Sequence, residues 1–178
     1  VEFTDKPEPT ASFDVRPFLK DGRVVSSTGE LRWGYGEGKG WIEIDTAGTK
    51  AVVGFAAGRE VRVGQVSITP RTPFCAVYVS ARGKDESLPS AKSALITTIA
   101  RARNTGMKVL GPLLLEAGKP PVVLEPVVAE VDLRRPGATV HILDSEGRRT
   151  GRTATVKGTK VLLDGTRDRT WHYLAVWP

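Results

Sequence analysis

Apolar residues along this chain recur in short runs, and turns that contain glycine or proline separate the runs. Within several runs apolar and polar residues alternate, as in Trp41–Asp45, where Ile42 and Ile44 fall on the side opposite Glu43. Alternation over roughly four to eight positions is typical of a β-strand with one buried face. The pattern predicts strands at about eleven places. These are Glu30–Trp33, Trp41–Asp45, Lys50–Ala56, Glu60–Thr69, Phe74–Ala81, Ser93–Arg103, Pro121–Leu133, Thr139–Leu143, Thr153–Lys157, Lys160–Leu163 and Trp171–Trp177.

The connections between these runs have the chemistry of tight turns. Asp144–Gly147, Lys157–Gly158 and Asp164–Gly165 are typical of hairpins. No long stretch keeps a helical period, although Leu113–Glu116 and Ser87–Ala94 could each form one helical turn. Many short strands joined by short turns predict an all-β fold, an antiparallel two-sheet β-sandwich of jelly-roll-like or immunoglobulin-like form.

The length of 178 residues suits one sizeable β-domain, which would bury roughly 70% of its unfolded surface. The opening segment mixes charges with Pro7, Pro9 and Pro17, so residues 1–25 are expected to be a linker or N-terminal extension. Residues 26–178 are expected to form the sandwich. No apolar run approaches the roughly 20 residues of a membrane-spanning helix, so no membrane partner is predicted.

The net charge of +6 lies mainly in the second half of the chain. Residues 1–100 carry 13 basic and 12 acidic side chains, whereas residues 101–178 carry 13 and 8. Arginines of this half could form a patch for phosphates, sulfates or uronates. Charged edges and turns, which discourage edge-to-edge pairing of sheets, explain them as well. The arginines concerned are Arg101, Arg103, Arg134, Arg135, Arg148, Arg149, Arg152, Arg167 and Arg169.

The chain carries few of the residues that catalysis or metal binding requires. Its two histidines, His141 and His172, lie far apart in strand patterns, and no CxxC, HxH, HExxH or GxSxG motif is present. Cys75 is the one cysteine, and its apolar neighbours predict a buried structural thiol. We therefore predict no enzyme activity, no metal and no cofactor.

Carboxylates are numerous, but their spacing is not distinctive. Glu43 and Asp45 are two positions apart on one strand, which is typical of a solvated strand face. Clustered loop acids such as Asp144 and Glu146 could bind calcium. The turns in which they occur explain them equally well.

The strongest candidate for a binding site is a glycine-rich loop bracketed by aromatic residues. Trp33, Tyr35 and Trp41 lie within nine positions, around the loop Gly34–Gly40. Exposed aromatic rings beside a loop are a platform on which sugar rings or bases stack. Packing of the same rings into the core or against a neighbouring domain is the alternative reading.

The last strand carries a second aromatic group. Trp171, Tyr173, Ala175 and Trp177 fall on one face, opposite a face that includes Leu174. The aromatic face either fills the core of the sandwich or forms an exposed strip for a polymer or partner. Filling of the core is the interpretation that we favour.

Three groups of residues resemble one known family. They are Thr28–Trp33 followed by Gly40–Thr46 and Ala51–Phe55, then Lys92–Met107, then Thr170–Tyr173. Together they resemble the C-terminal all-β domain that follows the TIM-barrel region in large bacterial proteins of glycoside-hydrolase type. The resemblance implies a noncatalytic accessory sandwich that packs on a parent catalytic barrel, in a secreted or cell-surface protein. The turn Ala81–Asp85 departs from the family pattern.

The leading functional hypothesis is a noncatalytic accessory domain of a carbohydrate-active protein, which binds polysaccharide through exposed aromatics. Its candidate ligand-binding residues are Trp33, Tyr35 and Trp41 as stacking faces, with Arg32 or Arg101 contacting hydroxyl or acidic groups. An anionic glycan fits the charge better than a neutral one, since the amide side chains common in sugar sites are scarce here.

Two other hypotheses stay open. One is a structural or protein-interaction module that packs on the parent catalytic domain, which an exposed apolar patch would favour. The other is nucleic-acid binding through the arginines, which predicts a steep dependence on salt. The arginines are scattered over turns and are not interleaved with aromatics, so nucleic acid is the less favoured partner.

Overall fold

The computed structural model describes residues 14, 16–35, 39–83 and 86–178. In chain order its strands are β1 (Leu19–Lys20), β2 (Arg23–Val25), β3 (Leu31–Gly34), β4 (Trp41–Asp45), β5 (Thr49–Gly54), β6 (Val61–Val63), β7 (Val66–Pro70), β8 (Cys75–Ala81), β9 (Ser93–Ile99), β10 (Ala102–Thr105), β11 (Lys108–Leu110), β12 (Leu113–Glu116), β13 (Lys119–Leu124), β14 (Val128–Asp132), β15 (Thr139–Leu143), β16 (Arg149–Thr153), β17 (Thr155–Lys157), β18 (Lys160–Asp164) and β19 (His172–Val176). A 3₁₀ turn (Arg16–Phe18) and a helix, α1 (Gly165–Asp168), accompany them. Neither is long enough to cross a membrane.

Two antiparallel sheets pack face to face, which confirms the predicted all-β sandwich. The larger sheet has ten strands in the order β1-β2-β3-β4-β5-β8-β9-β19-β15-β16. The smaller has five, in the order β17-β18-β14-β7-β6. Two further ladders, β10 with β13 and β11 with β12, make one long hairpin between β9 and β14. We call residues 102–124 the arm.

The core lies between the two sheets and is mostly aliphatic. Val52, Val77 and Ile96 from the larger sheet meet Ile68 and Val131 from the smaller, and all five are fully buried. Burial of each such side chain contributes about 1.5–3 kcal/mol. The alternation of buried and less buried residues along β9 and β14 follows the period of two that the sequence predicts.

The last strand turns its aromatic face inward, as the favoured interpretation predicts. Tyr173, Ala175 and Trp177 are buried in the core. The Tyr173 hydroxyl donates to Asp168 Oδ2 at 3.2 Å, so its polar end is satisfied inside the protein. Cys75 is likewise buried, in agreement with its predicted structural role.

Several predicted elements differ in detail. The run Glu60–Thr69 is a hairpin of two strands, because Gly64 has a φ of +55° and turns the chain. The run Pro121–Leu133 breaks around Pro126, where an expected bend separates β13 from β14. The helical turn expected at Leu113–Glu116 is wrong, since this segment is β12 and pairs with β11. Asp164 caps α1 through a bond from the Arg167 backbone N–H to Asp164 Oδ1 at 3.1 Å, in place of the expected hairpin turn.

The larger sheet begins before residue 26. Residues 19–25, expected to belong to a linker or extension, form β1 and β2, and β2 pairs with β3. Asp21 and Gly22 join the two strands with φ angles of +50° and +73°. Two consecutive left-handed residues are the geometry of a two-residue hairpin turn. Residues 1–13 and 15 lie outside the described residues.

Candidate functional site

The three aromatic residues predicted to bind sugar lie at one end of the larger sheet, but on two faces of it. In the ladder of β3 with β4, Trp33 pairs with Ile42 and Gly34 pairs with Trp41. Directly paired residues share a face, and successive residues alternate between faces. Trp33 therefore lies on the outer face of the sheet, and Trp41 lies on the side of the core.

Trp33 and Tyr35 form an exposed aromatic pair. Their ring centroids are 5.8 Å apart, with planes tilted by 53°. The two residues are 50% and 46% exposed. This separation is typical of favourable aromatic contacts, so each ring supports the position of the other while leaving much of its surface open.

Tyr35 and Trp41 meet across a second feature, which we call the aromatic cleft. The cleft has a volume of about 440 Å³, and Phe55 completes its aromatic wall. Its charged residues are Asp21, Arg23, Lys39 and Arg59. Among the described residues of its lining, three cations stand against one carboxylate, so this part of the wall is basic. The Arg59 guanidinium lies 5.3 Å from the ring centroid of Trp41, within the range of a cation–π contact.

Glycine allows the strands beneath the cleft to approach closely. Gly54 pairs with Trp41 and has a φ of +128°. A Cβ at this position would lie 2.5 Å from the carbonyl oxygen of Gly40, a distance at which something must move. Any side chain at position 54 would therefore displace the start of β4, and Trp41 with it.

A buried carboxylate holds Trp41 in place, so the solvated strand face expected for Glu43 is wrong. The Trp41 indole Nε1–H donates to Glu43 Oε1 at 3.1 Å, and Glu43 is buried. Arg23 Nη1 lies 3.0 Å from the same Glu43 oxygen. Arg32 Nη1 lies 3.9 Å from Glu43 and 3.5 Å from Asp45. Arg32, predicted to contact ligand, thus lies in a charge cluster on the side of the core.

Arg101, the other predicted cationic contact, lies at the base of the arm. It forms an ion pair with Glu125 at 2.9 Å. Ile99, two residues before Arg101, is four strands away from Trp33 in the larger sheet. Neighbouring strands lie about 4.8 Å apart, so the two residues are separated by about 20 Å. Arg101 therefore belongs to a different part of the surface from the aromatic residues.

The outer face of the larger sheet carries an apolar row that the sequence analysis did not predict. Successive cross-strand partners from β1 to β9 are all apolar, and we call them the outer row. They are Leu19, Val24, Trp33, Ile42, Val53, Ala76 and Ile99. Ile42 and Ile99 are among the exposed large hydrophobic residues of the described chain. An antiparallel sheet normally turns polar residues to water on its open face, so this apolar row departs from the usual pattern.

The arm is a second exposed apolar surface. Leucines at its tip, including Leu110 and Leu113, are more than half exposed. The strands of the tip pair only with each other, and its polar support among the described residues includes an ion pair of Lys108 with Glu116 at 2.6 Å and a bond from Asn104 Nδ2 to the Ala117 carbonyl at 3.0 Å. An apolar two-stranded ribbon is marginally stable in water by itself, so the arm is an exposed apolar surface with little support of its own.

Burial shifts the pKa of two further ionisable groups, Cys75 and His172. Burial raises the pKa of the Cys75 thiol to about 11, which keeps it protonated and unreactive near neutral pH. Burial lowers the pKa of His172. Within the described residues, no group of three or more His, Cys, Asp or Glu side chains could hold a metal ion. Comparisons with protein-family models, curated proteins and solved structures find no match to this chain.

Proposed function

We propose that this chain is a noncatalytic accessory β-sandwich module that binds an anionic polysaccharide at the aromatic cleft. The observation that carries the proposal is the meeting of Tyr35 and Trp41 with Arg23, Lys39 and Arg59 in one open cleft. The resemblance of the sequence to accessory domains of glycoside-hydrolase-type proteins supports a carbohydrate ligand. The proposal assigns no catalytic residue to the chain.

The chemistry of the cleft favours an acidic sugar over a neutral one. The apolar faces of sugar rings stack on aromatic side chains, which supplies affinity without a fixed sequence of hydrogen bonds. Carboxylates and sulfates form charge-assisted hydrogen bonds with guanidinium and ammonium groups. Asn and Gln, common partners of neutral hydroxyls, are absent from the cleft lining. Binding is therefore expected to weaken with salt.

Affinity electrophoresis tests this proposal. The chain is run through gels that contain polygalacturonate or, in parallel, a neutral glucan. We expect retardation in the acidic gel only, and loss of retardation in Tyr35→Ala and in Arg59→Gln. Arg71→Gln is the matched control, because Arg71 is exposed outside the cleft and its replacement removes the same charge. Equal retardation of Arg59→Gln and Arg71→Gln would mean that net charge, and not the cleft, causes the retardation, which would contradict the proposal. No retardation of the unmodified chain in any acidic glycan would also overturn it.

A second candidate function is docking on another protein domain, and the outer row favours it. In this reading the partner is a catalytic domain with an apolar surface that covers the row and contacts the arm. A photocrosslinking amino acid at Ile42 or Ile99, with Arg71 as the control position, tests it in cells. Protein adducts specific to the two isoleucine positions, mapped by mass spectrometry to a second protein or to the same polypeptide, would support docking. Equal labelling at Arg71 would argue against it.

A further inference from the structure

A small cavity lies at the end of the sandwich away from the aromatic cleft. Its volume is about 230 Å³, and Gln65, Leu133 and Trp177 are in its wall. The Trp177 backbone N–H bonds to the carbonyl of Lys92 at 3.0 Å, just before β9 begins. Strand pairing places Trp41 of the aromatic cleft level with the other end of β9, the end at Ile99. The cavity and the cleft are therefore separated by more than about 20 Å along the strand direction. We call this the Trp177 cavity.

Two buried hydrogen-bond donors in the wall of the Trp177 cavity have no acceptor. They are the indole Nε1–H of Trp177 and the Nε2 amide group of Gln65. Trp177 is only 6% exposed. A buried donor without a partner is costly, because its hydrogen bond to water has not been replaced. Such groups are rare in folded proteins, and here the two occur in the wall of one cavity.

Two arginines add positive charge to the same wall. Arg135 is held in place, since its Nη1 donates to the carbonyls of Pro89 and Ala91 and its guanidinium lies 4.5 Å from the ring centroid of Trp177. Arg134 donates from Nη2 to Ser67 Oγ at 3.0 Å, and the same nitrogen lies 3.6 Å from Glu60 Oε1, which offsets part of its charge. Arg134 also has a φ of +50°, in the left-handed region that few residues other than glycine adopt. Left-handed backbone of this kind is common at ligand sites.

Hydrogen-bond donors predominate among the polar groups of the cavity wall. All four polar side chains supply donors, the amide oxygen of Gln65 is the one side-chain acceptor among them, and no carboxylate lies among the lining residues. The rest of the wall is apolar, with Val66 and Leu88 among its members. A ligand that fits must present acceptor oxygens to the donors and an apolar body to the aliphatic side chains.

We propose that the Trp177 cavity binds a small carboxylate with a short apolar body. A carboxylate is an acceptor-only group whose two oxygens match the paired N–H groups of a guanidinium. The cavity volume equals that of about eight liquid waters, so the enclosed part of a ligand must be small. A free organic acid and the acidic group of a uronate present the same chemistry. This site does not depend on the aromatic cleft or on the function proposed for it.

The indole N–H of Trp177 provides a direct probe of binding. The chain has four tryptophans, so the indole region of a ¹H–¹⁵N spectrum contains four side-chain signals. Trp177→Phe identifies the signal of Trp177 by its loss. The protein is titrated with butyrate, with butyramide as the uncharged control of the same shape, and with glucuronate to distinguish a uronate from a free acid. Trp41 is an internal control, since its indole already donates to Glu43.

We expect butyrate to shift the Trp177 signal downfield with saturation, while butyramide and the Trp41 signal show no comparable change. Arg135→Gln should weaken butyrate binding at least tenfold, and Tyr35→Ala should leave it unchanged. Gln65→Leu, which keeps the approximate shape and removes the second unpaired donor, should also weaken binding even if Arg135→Gln fails to fold. Saturation by glucuronate in place of butyrate would identify a uronate site. A Trp177 signal that none of the acids moves, or that butyramide moves equally, would overturn the proposal.

Discussion

The two faces of the ten-stranded sheet are similar in composition and opposite in environment. On the inner face Val52, Val77 and Ile96 are fully buried against the smaller sheet. On the outer face Ile42 and Ile99 are equally apolar yet remain exposed. The inner residues account for the stability of the sandwich, whereas the outer residues contribute little to it. The difference shows that residues of one sheet with the same apolar character can serve the core or remain open to contact, and the docking proposed for the outer row rests on this contrast.

The largest effect on stability is expected in β9, which has residues on the buried inner face and on the exposed outer face. Ile96 and Ile99 both belong to β9, but Ile96 is fully buried and Ile99 is 52% exposed. Ile96→Ala should lower the free energy of unfolding by about 2–5 kcal/mol, because it leaves a cavity in the core. Ile99→Ala should change it by less than about 0.5 kcal/mol. Urea denaturation of both variants measures the difference, and equal losses would show that the outer row is covered in the isolated chain.

The second prediction concerns the charged end of the inner face. Glu43→Gln removes the carboxylate that faces Arg23, Arg32 and the Trp41 indole. Glu43 is buried but its arginine partners are partly exposed, so loss of its charge-assisted hydrogen bonds should cost about 2 kcal/mol.

Glu130→Gln is the control, because its ion pair with Lys160 at 2.8 Å lies at the surface and should matter little. Denaturation at neutral pH compares the two variants. A larger loss in Glu130→Gln would contradict the assignment of Glu43 as the support of the cleft.

Alkaline pH should lower the free energy of unfolding, because the buried thiol of Cys75 resists ionisation in the native chain. The native pKa of Cys75 is raised from 9.0 to about 11 by burial, so the unfolded chain releases this proton at lower pH than the native chain does. The stability that this difference supplies is complete below pH 9 and is lost as pH rises toward 11. By pH 10 the loss should reach about 1 kcal/mol.

Cys75→Ala should flatten this dependence between pH 8 and pH 10, whatever its effect on stability at neutral pH. Burial also raises the pKa of Tyr173 above its ordinary 10.0, so measurement is best confined to this window. The test is the free energy of unfolding of the unmodified chain and of Cys75→Ala, measured at several pH values in this window. The same slope with and without Cys75 would contradict a buried, protonated thiol.

The smallest effect is expected from removal of the tip of the arm. In β10 and β13, Thr105 pairs with Lys119, so an Asn-Gly turn in place of residues 106–118 would close the hairpin at that pair. The tip is exposed and its strands pair only with each other, so the free energy of unfolding should change by less than about 0.5 kcal/mol. Thermal unfolding tests this, and a drop of several degrees would mean that the tip packs on the sandwich.

Periodicity predicts this fold well wherever one face of a strand is buried. Trp41–Asp45 and Thr139–Leu143 have the predicted bounds, because alternation in these runs coincides with the pleat. Tyr173 and Trp177 are buried as favoured. The run Leu113–Glu116, which could form a helical turn, is a strand, since a short apolar run has no period that separates the two structures.

The candidate site was predicted only in part. Sequence proximity brought Trp33, Tyr35 and Trp41 together, but strand register places Trp33 and Trp41 on opposite faces. Arg59 joins the cleft through a loop that no local pattern connects with it. The partners of Arg32 also depend on register. Neither the outer row nor the Trp177 cavity has a sequence signal, because both arise from neighbours that are distant along the chain.

Calorimetric titration with an oligogalacturonate tests the central claim most directly. The titration is run on the unmodified chain, on Tyr35→Ala in the cleft and on Ile99→Ala in the outer row, at low and high salt. The account predicts saturable binding that weakens with salt, falls at least tenfold in Tyr35→Ala and is unchanged in Ile99→Ala. Absence of binding, or equal binding by the unmodified chain and Tyr35→Ala, would contradict the claim that the aromatic cleft is a site for an acidic glycan.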